Sequence, residues 1–269
     1  MHLIRIILLT YLLCLVTASQ AVPQQAASDK QAKTKRLISL APSNTELIYS
    51  LKSGKQLIAV SESCDYPIEA KKKEKVGNFS SVKMEKIAKL KPDLIALVSG
   101  QEKLDSDLKK HHFSTVLLDN SSIKNIGKNL RVLGNICQQE AEAKRLSTAF
   151  ENAIEELKSI TDADKSKAKV FICVWPQPLM SAGKSSFMNE GITIAGGTNC
   201  TGDLPQPYPR INQERLLLMQ PDMILIPHEL GGDKFWTKSP WTSLRAVKEK
   251  HVYVLPQHET DCLARPTLR

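Results

Sequence analysis

Aromatic side chains are scarce: three Trp, five Tyr and six Phe make up 5% of the 269 residues. A platform for single-stranded nucleic acid interleaves aromatics with its cations. None interrupts Lys71-Lys72-Lys73-Glu74-Lys75. The net charge of +9 therefore reads as solvated, lysine-rich helix faces, and no nucleic-acid partner is expected. The six cysteines form no CxxC pair, which argues against a zinc or dithiol redox site. No G-x-S-x-G elbow occurs. His228-Glu229 lacks the second histidine of a zinc-protease motif, and His111-His112 reads as a solvated pair at a helix end. Gly183-Lys184-Ser185 resembles the end of a phosphate loop, but Pro178 stands where the first glycine is required. These absences predict no catalytic group, no metal and no cofactor. Beyond Ile6 to Val16 no apolar run approaches the length of a membrane span.

The first residues read as an export signal. Arg5, the apolar stretch and Ser19-Gln20-Ala21 predict a cleaved signal peptide over residues 1–21. Residues 22–34 lack apolar periodicity and read as a flexible leader. Cys14 lies inside the apolar run after Leu13, which argues against a lipid anchor. The mature chain is expected to be soluble and exported. It keeps Cys64, Cys137, Cys173, Cys200 and Cys262, an odd set allowing at most two internal bridges of undetermined connectivity.

What is present is a repeat. Met84-Glu85-Lys86-Ile87-Ala88-Lys89-Leu90-Lys91-Pro92-Asp93-Leu94-Ile95 returns as Gln213-Glu214-Arg215-Leu216-Leu217-Leu218-Met219-Gln220-Pro221-Asp222-Met223-Ile224. In each copy a Glu stands seven residues before a Pro-Asp pair, and an apolar run follows. Two similar units suggest two lobes with a cleft between them. Short apolar runs at Leu37–Leu40, Leu57–Val60, Leu94–Val98 and Thr115–Leu118 alternate with helical segments, which predicts an α/β lobe with a largely parallel sheet over residues 35–120. Ser43 with Glu46 three residues later forms a capping-box pattern and predicts a helix starting at Ser43. Leu146, Ala149, Phe150, Ala153, Ile154, Leu157 and Ile160 recur at helical spacing, and no Gly or Pro interrupts Ile136 to Ile160. One amphipathic helix about 35 Å long is expected there, within a helical linker over residues 121–160 that makes a stiff joint. A second α/β lobe over residues 161–269 opens with the strand Val170–Val174.

Arg36-Leu37-Ile38-Ser39-Leu40-Ala41-Pro42-Ser43-Asn44-Thr45-Glu46, Cys64-Asp65-Tyr66-Pro67, Val76-Gly77-Asn78-Phe79 and both Glu-to-Pro-Asp units together resemble one family. These are the extracytoplasmic solute-binding proteins with a rigid helical backbone, class III of the periplasmic binding proteins. They serve ABC importers of cobalamin, ferric siderophores and haem, and the likeness is to the cobalamin-binding branch. It implies two Rossmann-like lobes with mostly parallel sheets joined by one long backbone helix. It also implies a monomer in the periplasm that binds a corrinoid and delivers it to an ABC permease. Thr267-Leu268-Arg269 stand where the family continues with Gly-Pro-Arg and a closing helix, so an apolar patch is expected on the second lobe.

A corrinoid is a broad plate with an apolar rim and polar arms, so its grip needs aromatic surface and hydrogen-bonding groups. The resemblance places Tyr66, Phe79, Trp175 and Tyr208 against the ligand, with Asp261 and Arg265 reaching its polar groups and Ser43 and Asn44 on the cleft floor. Each has a plainer alternative: a turn tyrosine on Pro67, core aromatics, a surface ion pair, a helix cap. Trp236 and Trp241 carry little of the resemblance. By the same resemblance Glu85 and Glu214, one per lobe, pair with arginines of the permease. Their plainer role is a carboxylate near a helix N-terminus. The rival functions are the same scaffold holding haem or a ferric siderophore, with Tyr66 as an iron ligand, an exported enzyme using Asp261 or a histidine, and a signalling receptor.

Overall fold

A computed structural model of the protein describes residues 35–162, 166–257, 261 and 265–268. The expected signal peptide, the leader and Cys262 lie outside them.

The first lobe is built on a five-stranded parallel sheet of β1 (Leu37–Ser39), β2 (Leu57–Val60), β3 (Glu74–Lys75), β4 (Leu94–Val98) and β5 (Thr115–Leu118), in the order β3-β2-β1-β4-β5. Neighbouring side chains of a strand point to opposite faces. Leu37 and Val60 enter one core, while Ile38 and Ala59 enter the other. Both faces are covered, which is why these strands read as unbroken apolar runs. Helices α1 (Pro42–Ser50), α2 (Ile68–Lys71), α3 (Met84–Leu90) and α4 (Glu102–Lys110) connect them. The expected cap at Ser43 is corrected. Helix α1 begins at Pro42 with Ala41 before it and no side-chain cap. Proline's fixed φ suits the first helical position, so Ser43 falls inside the helix, buried, and its hydroxyl accepts from Asn120 Nδ2 at 2.7 Å.

Two helices follow. In α5 (Lys124–Cys137), Ile126, Leu130, Leu133 and Cys137 pack into the first lobe's core, so this part of the expected linker belongs to that lobe. The backbone helix α6 (Glu140–Asp162) is 23 residues, about 35 Å. Its length matches the expectation, but it starts at Glu140 and not at Ile136. Gln138 takes a left-handed conformation (φ 59°) that ends α5. The Gln139 N–H returns to Gly134 O at 2.7 Å. Gly134 lies so close against Ala143 that a Cβ there would collide with it. Ala149, Ala153, Leu157 and Ile160 of the expected apolar face are exposed.

The second lobe repeats the first with one strand fewer. Strands β6 (Lys169–Ile172), β9 (Thr198–Asn199), β10 (Met223–Ile226) and β11 (Val252–Val254) form a parallel sheet in the order β11-β10-β6-β9, beside a small antiparallel pair, β7 (Trp175–Pro176) with β8 (Leu179–Met180). Helices α7 (Phe187–Ile194), α8 (Gln213–Met219) and α9 (Arg245–Lys248) complete it. Trp241 is core: it meets Phe171 and Phe235 edge-on, at 6.2 and 5.0 Å. The other face of the sheet carries an apolar groove of about 560 Å³, lined by Val170, Ile172, Leu225, Met188, Ile192 and Ile160 among others.

The repeat has a structural meaning. Lys91 and Gln220 both turn left-handed (φ 47° and 42°) to end α3 and α8. A proline follows each, and then the Asp turns back to the first strand of its lobe. Asp93 Oδ2 accepts the Arg36 N–H and Asp222 Oδ2 the Lys169 N–H, both at 2.7 Å. The backbone N–H groups of Asp93 and Asp222 return to Arg36 O and Lys169 O at 2.8 and 2.9 Å. Each Pro-Asp pair thus sets the register in which a central strand enters.

Candidate ligand cleft

In a parallel α/β sheet, sites form beyond the carboxyl ends of the strands, where the order reverses. In the first lobe that point lies between β1 and β4, and the segments leaving β1, β2, β4 and β5 all reach one cavity of about 740 Å³. The first lobe supplies Ser43, Ser63, Phe79, Ser99 and Asn120, and the second supplies Ser185, Ser186, Phe187 and Tyr208. Arg265 and Pro266 close one end.

The floor is held by Gln101, in the loop that leaves the carboxyl end of β4. Gln101 is buried, and its amide donates to Phe79 O at 2.7 Å and to Leu40 O at 3.3 Å while Oε1 accepts the Val98 N–H at 3.0 Å. It ties the ends of β1 and β4 to the loop bearing Phe79. Gly100 beside it takes φ +92°, a conformation that favours glycine. Asn120 is held in the same way, donating to Ser43 Oγ and accepting from Asn129 Nδ2 at 3.0 Å.

On the second lobe, the Gly183 N–H donates to Pro207 O at 2.9 Å and the Lys184 N–H to Leu204 O at 2.7 Å. A Cβ at Gly183 would run into Gln206 O. The segment that looked like part of a phosphate loop is the cradle for the loop that presents Tyr208. Burial pushes the Tyr208 phenol above its ordinary 10.0, with the Ser186 hydrogen bond working the other way, so it stays neutral.

Arg265 does not stand free. Its Nη1 lies 2.5 Å from Asp65 Oδ1 and 3.5 Å from the buried Glu46, and its Nη2 lies 3.9 Å from Asp261. Burial alone would raise the Asp65 carboxyl. The hydrogen bond and charge of Arg265 outweigh it, and the group lies below its ordinary 3.8. Just past Arg265, Thr267 is buried and Leu268 packs on the first lobe's core, so this segment straps the second lobe back to the first. A further clasp joins Glu190 of α7 to the start of α5, where Oε2 accepts from Ser122 Oγ at 2.6 Å and from the Ile123 N–H at 2.7 Å.

Of the expected ligand residues, Ser43, Phe79, Tyr208 and Arg265 line the cavity. Asp261 holds Arg265 and accepts from Gln257 Nε2 at 3.1 Å. Asn44, expected on the floor, is instead buried in the scaffold, its amide donating to Leu97 O at 3.0 Å. Tyr66 and Trp175 are about half exposed and outside the cavity's lining, and Trp175 Nε1 donates to Gln177 O. Glu85 and Glu214 are exposed in the first turns of α3 and α8. Cys64, Cys137, Cys173 and Cys200 are free thiols, and burial pushes Cys173 up to about 12 and Cys200 to about 11. Among the described residues no group of three or more His, Cys, Asp or Glu gathers for a metal, and no helix is long and apolar enough to cross a membrane.

Two lobes pinned by a helix, a strap and a clasp, with a gap lined by aromatics and hydroxyls, define a two-lobed solute carrier. The periplasmic binding protein family matches residues 37–259, and the chain belongs to it. Members of this family bind solutes and do not catalyse reactions on them; they hand small ligands to ABC permeases. The chain is 34% identical over 220 residues to the vitamin B12-binding protein of Pectobacterium atrosepticum, covering 80% of this chain and 75% of that one. It is 32% identical over 248 residues to the vitamin B12-binding protein of Vibrio vulnificus, covering 91% and 89%. The crystal structure of the periplasmic vitamin B12 binding protein BtuF of Vibrio cholerae superposes with a TM-score of 0.78 at 27% identity, over 87% of this chain and 91% of that one. The haem-binding protein BhuT, in complex with two haems, shares the fold at TM-score 0.76 and 19% identity, over 87% and 93%.

Proposed function

We propose that this protein is a monomeric periplasmic carrier that holds cobalamin, or a related corrinoid, between its lobes and presents it to an ABC permease. The observation that carries the choice of guest is the state of Arg265, the only ionic residue among the described residues lining the cavity. It is already matched by Asp65, Glu46 and Asp261. A haem brings two carboxylate arms that seek cations, and this end of the cleft carries more acid than base. A corrinoid's amide arms instead suit the serine hydroxyls and Asn120. Phe79, Phe187 and Tyr208 supply apolar surface, and burying it contributes about 25 cal/mol per Å². The relatives named for vitamin B12 binding support the same guest. Absorbance titrations with cyanocobalamin, haemin and a ferric hydroxamate, run side by side, test it. Cyanocobalamin should bind, and a Soret shift with haemin alone would overturn the assignment.

Delivery is assigned to Glu85 and Glu214. Helices α3 and α8 start from the same edge of their sheets as the cleft, so the two carboxylates stand one on each lobe at its rim. Rim charges set orientation and association rate more than affinity. Glu85→Ala with Glu214→Ala should leave cyanocobalamin binding intact and impair uptake by cells that carry the importer. Lost binding with normal uptake would contradict the role.

A further inference from the structure

The two faces that carry Glu85 and Glu214 occupy equivalent places in the repeat, yet their surroundings are opposite in chemistry and shape. On the first lobe, Glu85 sits in a shallow basin with Lys83, Lys86 and Lys89 around it, and Val82 and Met84 beneath. Lys86 is partly satisfied by Glu74, at 2.6 Å. Lys83 and Lys89 are exposed, so the basin is net positive around its one carboxylate. On the second lobe, the residue one turn after Glu214 is Leu218, 85% exposed, the most exposed of the large apolar side chains described. Residues four apart on a helix share a face. Leu218 therefore projects beside Glu214 where Lys89 stands beside Glu85. Arg215, next to Glu214, is turned aside by Asp203 at 2.7 Å. An isolated leucine this open contributes nothing to its own fold, since Leu216 fills the core beneath.

We propose that the two lobes grip unlike surfaces of the permease: Leu218 inserts into an apolar recess beside the cation that meets Glu214, while the lysine basin receives an acid-bearing loop. This rests on the docking reading given above and adds a division of labour to it. A short-range apolar contact resists separation, so the second lobe governs the dissociation rate. Long-range charge steers encounter and is screened by salt, so the first lobe governs the association rate.

The test measures association and dissociation of the full chain on the importer's permease–ATPase complex in nanodiscs, at low and at high salt. Leu218→Ser should raise the dissociation rate about tenfold, the factor equivalent to about 1.4 kcal/mol, and leave the salt dependence of association unchanged. Lys83→Gln with Lys89→Gln should slow association at low salt and flatten its salt dependence, with dissociation unchanged. Glu214→Ala is the control for docking itself. If it weakens binding while Leu218→Ser changes neither rate, the inference about Leu218 fails and the docking reading stands. If neither variant has an effect, both fail. Leu218 and the lysines lie outside the cleft, so cyanocobalamin titration of each variant should match the parent and show that it is folded.

Discussion

Arg265 is where a single side chain decides most. It draws together carboxylates from the first lobe, Glu46 and Asp65, and one from its own segment, Asp261. Glu46 is only 3% exposed at its side chain, so deleting the arginine takes a cationic partner away from a buried carboxyl group. Removing one member of such a pair is strongly destabilising. Asp65 is half exposed and screened, which discounts its share. Arg265→Ala is expected to cost about 2–3 kcal/mol in urea unfolding. The pH dependence has a definite sign. Asp65 titrates lower when folded than unfolded, so the stability it adds is complete above the unfolded value of 3.8 and drains as pH falls through the lower folded one. The parent should lose stability more steeply than Arg265→Ala below about pH 4. Parallel acid limbs would show that the Arg265–Asp65 pair contributes nothing.

Among the elements, those with one strong local signal were legible in the sequence. Strands covered on both faces announce themselves as apolar runs, and β1, β2, β4 and β5 fall on the segments read. Strands β3, β7, β8 and β9 are two residues each, too short for any period to register. Helix α7 went unread. The end of α5 at Gln138 was hidden because a residue other than glycine takes the left-handed position there. The signal that existed was Gly134, which lets α6 cross α5 at close range. Gly134→Val should therefore force the two helices apart, for about 1–3 kcal/mol in thermal or urea unfolding. A variant as stable as the parent would mean that the contact is loose. The capping pattern at Ser43 misled because Pro42 claims the first helical position.

Over the whole molecule, the repeat carried the architecture into view, since two copies of a helix, a left-handed turn, Pro-Asp and a strand imply two sheets. The cleft was only half legible. Phe79 and Tyr208 line it, but Gln101, Asn120 and the Glu46 and Asp65 carboxylates beside Arg265 hold its walls across large sequence separations that no local pattern records. Asn44 shows the converse: it adjoins a lining residue in sequence, but its amide serves the scaffold. The helix, the strap at Arg265 to Leu268 and the clasp at Glu190 span the lobes at separate points, which limits the reordering a guest must drive. The most direct measurement is calorimetric titration of the mature chain with cyanocobalamin, beside a Phe79→Ala, Tyr208→Ala variant. One-to-one binding tighter than about 10 μM, weakened at least about tenfold in the variant, is the predicted result. No heat from the parent, or equal affinity in the variant, would contradict a neutral plate held between aromatic walls.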